Sequence, residues 1–371
     1  MRSAAGIALL GLVLVACGGL FDAAPLYVPG VGFLALGLLA PAWVALAARG
    51  ATVERELDAR HVVEEQPVPI RLSVRSARVA PPLPVAVVED PLLEASLRLP
   101  TTARSHRFTA VARFPRRGRV RVAPPALALG DPLELCRRRV RGRGERELLV
   151  LPRTSPVSFA PGQGADGRRD GGASALLGAT ATEVDGVRPY REGTPAARIH
   201  WPTLARGAGL MERRLRIESD ARPLVVLDAR GAASRDALDM AVRAAASLTL
   251  AFARSGGSAL LLPGERRPSA IEEDLGGWPA AHVRLALVEG GDDCPAPALG
   301  GAGHRTGPLV YVAARTVERL PAAVRAAARA ETLLVVPGRL DAREPVLAVA
   351  GCRGYRVASR PPRAGAGEAG R

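Results

Sequence analysis

The sequence predicts a multidomain chain of combined α/β and β class: an N-terminal transmembrane helical hairpin, an antiparallel β-sandwich, and a Rossmann-like domain built on a parallel sheet. Three observations carry that expectation. Two apolar runs, Ala4 to Phe21 and Pro25 to Ala48, open the chain, each near the roughly 20 residues that a bilayer core demands. From Thr52 to about Arg153 apolar residues recur with a period of two. Beyond Asp228, short apolar runs alternate with segments of helical spacing. At 371 residues the chain is long enough for two or three domains with cores of their own.

The first element is the hairpin, expected over residues 1–50 with Asp22 to Ala24 as its turn. Arg2 and the amino terminus flank one end, Arg49, Arg55 and Arg60 follow the other, and the turn carries only Asp22. The positive-inside rule then places both ends, and the soluble bulk, in the cytoplasm beneath the inner membrane. A rival reading stands beside it. Leu14-Val15-Ala16-Cys17 followed by Gly18 has the form of a lipoprotein cleavage site, which would export the rest of the chain.

The β domain is expected over residues 51–153. Val68, Ile70, Leu72 and Val74 alternate with polar or proline positions, as do Val120 and Val122 with Arg119 and Arg121. Pro81-Pro82, Pro115, Gly118 and Pro124-Pro125 separate the runs, as an antiparallel sandwich with one solvated face requires. Cys136 to Arg146 is dense in arginine. Nucleic acid is a poor match, because aromatic residues make up only 4% of the chain and none interleave these arginines to stack on bases. A solvated strand facing anionic lipids accounts for them equally well, each Arg near such a surface gaining about 1 kcal/mol.

Residues 154–182, rich in glycine, read as a flexible linker. The segment 183–220 follows and concentrates polar, aromatic and glycine residues: Gly186, Arg188, Tyr190, Gly193, Arg198, His200, Trp201 and Arg206. Two readings of it stand. One is a binding surface made of these side chains; the other is an internal clamp with Tyr190 and Trp201 as hydrophobic anchors. Next, Leu224 to Leu227 reads as a buried strand that ends in Asp228. Ser234 caps a helix with Leu238, Ala241, Val242, Ala245, Leu248 and Phe252 on one face, closed by Gly256-Gly257. Further strands are expected at Ser258 to Leu262, Val283 to Val288, Leu309 to Ala313, Leu333 to Val336 and Val346 to Val357. Helices are expected near Ser269 to Ala281 and Thr316 to Ala330, giving a mostly parallel sheet covered on both faces over residues 221–358. Residues 359–371 read as a disordered tail.

Gly186, Arg188, Tyr190, Gly193, Arg198, Ile199 and Trp201, continued by Ala205-Arg206 and Met211-Glu212-Arg213, resemble the signature of the bacterial "domain of unknown function 58" family. Arg116-Arg117-Gly118, Asp131-Pro132 and the closing run Leu148 to Pro152 resemble the same family's membrane-proximal part. Thr194 departs from the Asp usual after the glycine. The resemblance implies a von Willebrand factor A-like domain after the signature, and as a partner a cytosolic MoxR-type AAA+ ATPase. An A-type metal site needs D-x-S-x-S after the first strand. Asp228-Ala229-Arg230-Gly231-Ala232 has neither hydroxyl, so Asp228 is a degenerate metal-site position whose carboxylate is expected to pair with an arginine instead of Mg²⁺.

No cofactor and no metal is expected. Cys17, Cys136, Cys294 and Cys352 form no C-x-x-C pair, and His61, His106, His200, His282 and His304 lie in unrelated segments. No nucleophile with its base and orienting group can be assigned, and no glycine-rich phosphate loop is present. The net charge of +15 is carried without a single lysine, so each of the 51 cations is Arg. Two function classes remain: a membrane-tethered interaction or adaptor module, and a ligand-binding protein or enzyme that uses the signature segment.

Overall fold

The structure, a computed structural model, describes residues 2–77, 85–93, 95–100, 105–160, 183–190, 199–207, 209–216, 222–299, 307–327, 332–341 and 343–357. The chain divides into two units, Met1–Pro115 with Arg119–Val150, and Arg116–Gly118 with Leu151–Arg371.

In the first unit, helices α1 (Arg2–Leu20) and α2 (Tyr27–Gly50) pack against each other. Glycine sets how closely they approach. A Cβ on Gly11 would lie 2.5 Å from the Leu34 nitrogen, and one on Gly37 would lie 2.7 Å from the Ala8 Cβ. Missing side chains of this kind let apolar helices meet backbone to backbone. Ala24–Gly50 is long and apolar enough to cross a membrane, whereas the apolar part of α1, Ala4–Leu20, is shorter. The helix α2 continues without a loop into strand β1 (Ala51–Glu56). Trp43, Val44, Ala47 and Ala48 join Val53, Val74, Val88 and Leu127 in one core, so the expected boundary at residue 50 is not a packing boundary.

Three small sheets make up the rest of this unit. Strands β2 (His61–Val63), β3 (Val68–Ser76), β4 (Val85–Glu89), β5 (Leu97–Leu99) and β6 (Ser105–Ala112) are followed by β7 (Gly118–Val122), β8 (Ala126–Gly130), β9 (Arg137–Arg141) and β10 (Arg146–Leu151). The sheets run β1-β3-β6, β2-β10-β7 and β5-β4-β8-β9. Alternation in β3 buries Val68, Ile70, Leu72 and Val74 and exposes Arg71 and Arg75. On β9, Arg137 and Arg139 lie in solvent, 3.3 and 3.1 Å from Glu89. Asp131 closes the turn before β9: its carboxylate accepts from the amides of Leu133 and Cys136 at 3.0 and 2.7 Å. Burial alone would raise the Asp131 carboxyl, but these amides hold it below its ordinary value.

One arginine ties this unit together. Arg55 Nη1 lies 3.0 Å from both carboxylate oxygens of Asp90, and Nη2 donates to the carbonyls of Ala123 and Gly144 at 2.9 and 2.7 Å. Both side chains are buried, so Arg55 does not count among the positive charges flanking α2, as the sequence reading had it. Its guanidinium already has protein acceptors on several sides.

The second unit carries an eight-stranded sheet. Its strands are β11 (Ser158–Phe159), β14 (Leu224–Asp228), β15 (Ser258–Leu261), β16 (Ser269–Ile271), β17 (Leu309–Ala313), β18 (Thr332–Pro337), β19 (Leu347–Val349) and β20 (Cys352–Val357), ordered β11-β19-β20-β18-β17-β14-β15-β16. A separate hairpin pairs β12 (Glu183–Pro189) with β13 (Met211–Arg216), and helix α3 (Trp201–Ala205) lies between them in sequence. Helices α4 (Arg235–Arg254), α5 (Trp278–Ala286) and α6 (Ala322–Ala327) are the other α-helices among the described residues of this unit. The four central strands β15, β14, β17 and β18 are parallel and buried throughout. One face packs on α4 and α5 through Val225, Leu227, Leu248 and Leu285; the other packs on Leu299, Leu320 and Val324 through Leu224, Val226 and Tyr311. Ser234 caps α4, its hydroxyl accepting from the Ala237 amide at 3.1 Å. Arg117 is buried in this unit as well. Its Nε meets Asp239 of α4 at 2.8 Å and its Nη1 donates to the Val288 carbonyl just past α5 at 2.8 Å, where a cation complements the helix dipole.

Several expectations need correction. The sheet is mixed, since β11, β16, β19 and β20 all pair antiparallel. For β19 and β20 the cause is the tight turn at Ala350 and Gly351, both with positive φ, which can only reverse the chain. Val346 to Val357 is therefore a hairpin instead of one strand. Ser269 to Ala281 was expected as helix and Val283 to Val288 as strand. Instead Ser269–Ile271 is strand and Trp278–Ala286 is helix, because Ala281 and Leu285 fall one turn apart on the buried face. The helix expected from Thr316 begins only at Ala322, behind Pro321, which fixes φ at a helix start. The expected linker loses its first residues to the sheet, where Ser158 and Phe159 pair with Ala348 and Leu347. Its remainder, residues 161–182, and the expected tail lie outside the described residues.

Arg55→Met should destabilise the protein by about 3 kcal/mol or more, because it leaves Asp90 buried and unpaired. Replacing both partners, Arg55→Met with Asp90→Leu, should cost clearly less than the sum of the two single changes in urea titrations of the detergent-solubilised chain. Simple additivity would mean that the two groups do not act as a pair.

Candidate functional site

Two places collect the residues singled out in the sequence. The first is the carboxyl edge of the large sheet. The chain leaves β14 through α4 to β15 on one side, and returns to β17 on the other, so β14 and β17 flank the point where strand order reverses. Crevices at such points, outside the strand carboxyl ends, are where open α/β sheets bind ligands. Asp228 ends β14 there and is 1% exposed, a carboxylate that must find donors inside the protein.

It finds four. Arg230 Nε reaches Oδ1 at 2.8 Å and Nη2 reaches Oδ2 at 2.9 Å, a forked pair, while the Arg230 amide adds a 3.1 Å bond to Oδ1. The Tyr311 hydroxyl of β17 donates to Oδ2. Register explains the tyrosine: Ala313 lies opposite Asp228, and Tyr311, two residues earlier on the same face, points its ring along the strand toward that carboxylate. A carboxylate offers about four lone-pair positions, so Asp228 is saturated. Arg315, just past β17, stops at 3.9 Å from Oδ2 and makes only a 3.5 Å contact to the Arg230 carbonyl. It crosses the loop over Gly231, where a Cβ would fall 3.0 Å from its Nη1.

Burial alone would push the Asp228 carboxyl up, but hydrogen bonds from Arg230 and Tyr311 outweigh it and hold the group below its ordinary value. Burial and the adjacent carboxylate push the Tyr311 hydroxyl well above its own, so it stays a donor at every physiological pH. Asp228 is the first carboxylate that a metal would need, and its acceptor positions are filled. Among the described residues no group of three or more His, Cys, Asp and Glu side chains converges as a metal site requires.

The second place is the β12–β13 hairpin. Its strands pair Arg188 with Glu212 and Pro189 with Met211, and a bulge falls between Val184 and Gly186. Beyond the strands two further backbone bonds form: the Tyr190 amide donates to Leu210 at 3.0 Å and the His200 amide to Met211 at 2.8 Å. Ile199 bridges Glu212 and is buried. The His200 Nδ1 pairs with the Thr203 hydroxyl one turn on, which fixes the imidazole at the start of α3. Trp201 is 56% exposed, Leu204 and Leu210 are exposed near it in sequence, and Arg206 lies in solvent. This exposure suits the binding-surface reading of Trp201. Gly193 and Arg198 fall outside the described residues, and Asp228 belongs to the other place.

Sequence reading missed Tyr311 and Arg315. Both lie more than 80 positions from Asp228, and only the parallel pairing of β14 with β17 brings them to it. An alternating position two before the strand end was the one available signal for Tyr311.

Asp228→Asn should destabilise the protein by roughly 3 kcal/mol at neutral pH, because it leaves the forked guanidinium half paired. Since the folded carboxyl titrates below its ordinary value, its contribution is complete above about pH 4 and is lost as pH falls through the folded value. The gap between wild type and Asp228→Asn should therefore narrow in acid denaturation series. Thermal midpoints in Mg²⁺ and in chelator should coincide; a stabilisation above about 1 kcal/mol by modest Mg²⁺ would reveal ligands elsewhere. No protein-family model matches the chain, nor does any curated protein, so its function has to be read from these residues.

Proposed function

We propose that this chain is a membrane-anchored protein-interaction module that presents the β12–β13 hairpin to a protein partner. The observation that carries the reading is Trp201, a large aromatic left 56% exposed beside the Tyr190 and His200 amides, which bond to the Leu210 and Met211 carbonyls. Tryptophan, tyrosine and arginine are the residues most enriched at binding hot spots, and this hairpin supplies Trp201, Tyr190 and Arg206 together. The saturated Asp228 argues in the same direction, because metal chemistry at the sheet edge would have to displace a forked guanidinium first.

On the resemblance of its signature, the chain is a member of the "domain of unknown function 58" family, with a sandwich-type β domain and a von Willebrand factor A-like sheet domain. Its partner is then a MoxR-type AAA+ ATPase of the cytosol, which it serves as membrane-bound adaptor. Helices α1 and α2 together cross the inner membrane as a hairpin with both ends inside. Apolar composition, close glycine packing and the flanking Arg2, Arg49 and Arg60 support that topology.

Trp201→Ala should leave the unfolding temperature unchanged and weaken partner binding by about 2 kcal/mol, roughly 30-fold. Affinity for the ATPase and thermal stability are to be measured on the same preparations. Unchanged affinity in a folded variant would sink the docking surface, whereas parallel losses of stability and affinity would favour an internal clamp. For the anchor, a reporter fused after Arg371 should be active only if it works in the cytoplasm. Activity only outside the cytoplasm, or acylation and cleavage at Cys17, would reverse the topology.

A further inference from the structure

At the carboxyl edge of the large sheet one buried carboxylate holds two guanidiniums. Asp228 meets two guanidiniums, those of Arg230 and Arg315, and its four acceptor positions are taken by Arg230 and Tyr311. Arg315 is drawn in by the same carboxylate yet, among the described residues, keeps only a 3.5 Å contact to a carbonyl and a 3.9 Å approach to Oδ2. The two arginine side chains remain 28% and 36% exposed, so both keep guanidinium donors facing solvent. Ala229, Gly231 and Ala232, the neighbours of Arg230, offer no side chain that could supply an acceptor. The place itself is the switch point between β14 and β17.

We propose that Arg315, positioned beside Arg230 by the saturated Asp228, forms a metal-independent binding site for a carboxylate. A guanidinium presents parallel N–H donors whose spacing matches the two oxygens of a carboxylate, so the ligand would bridge Arg315 and the remaining donors of Arg230. Asp228 is then a positioning residue, and Gly231 leaves the space that Arg315 crosses. The carboxylate has two sources, an Asp or Glu side chain of a partner protein or a free small acid. This site uses none of the hairpin residues, so it stands or falls separately from the docking role of Trp201.

The test is equilibrium binding to the full chain in detergent with chelator present. The probes are a blocked Asp-Asp dipeptide, its Asn-Asn counterpart and succinate. An Asp-Asp or succinate titration that saturates, with no response to Asn-Asn, supports the site, and whichever of the two binds more tightly identifies the source. Arg315→Gln should weaken that binding at least about tenfold without lowering the melting temperature, because the side chain holds no strong internal bond. Should Arg315→Gln fail to fold, Arg315→Lys takes its place; it keeps the charge, loses the fork and should bind detectably but more weakly. Equal response to Asn-Asn, undiminished binding by the Arg315 variant, or no binding by either acid would overturn the proposal.

Discussion

A carboxylate at the end of a buried parallel strand must be met by donors, and the way Asp228 is met shapes its surroundings. Taking one charge out of water costs several kcal/mol unless partners replace the lost hydration. Arg230 supplies a fork and its own amide from two residues away, which folds the loop back over the strand end. Tyr311 supplies a hydroxyl from the neighbouring strand. With these bonds made, the carboxylate has nothing left for a cation, and Arg315 is held close only by long contacts to Oδ2 and to the Arg230 carbonyl. One residue thus fixes the loop, has its own acceptor positions filled and leaves the Arg315 guanidinium partly exposed.

The same device recurs in the cores. Arg55 joins Asp90 and two carbonyls in the first unit, while Arg117 joins Asp239 and the end of α5 in the second. Lysine offers a single ammonium on a flexible stem, whereas a planar guanidinium distributes five donors in fixed directions. A chain whose cations are all Arg can therefore bury positive charge at junctions between strands, turns and helix ends, where several carbonyls also need donors. Such pairs contribute less to net stability than apolar packing of equal volume would, but removing one partner alone is severe.

The hairpin follows the opposite logic. Among its described residues the strands and the Tyr190 and His200 amides bond within the hairpin, and the large side chains Trp201, Leu204 and Leu210 face solvent. Apolar surface that is exposed without a backbone debt to the core can be covered by a partner with little rearrangement. Attachment to a membrane would raise the local concentration of both partners in the same layer, so modest contacts would suffice for association.

The sequence alone determined what depends on neighbours along the chain. Alternation in Val68 to Val74 placed β3 and its buried face; Ser234 and the apolar spacing after it placed α4; the absent hydroxyls after Asp228 pointed to an arginine partner. Short apolar runs such as Val283 to Val288 were misread, because a half-buried helix and a buried strand share that composition and only packing separates them. Tertiary structure alone decided which strands became neighbours: the hairpin turn at Ala350 and Gly351 made the sheet mixed, and the pairing of β14 with β17 brought Tyr311 and Arg315 to Asp228. It also decided that Arg55 is a core residue and Trp201 an exposed one, since burial is a property of what comes to lie on top of a residue, and no local pattern of the chain encodes that.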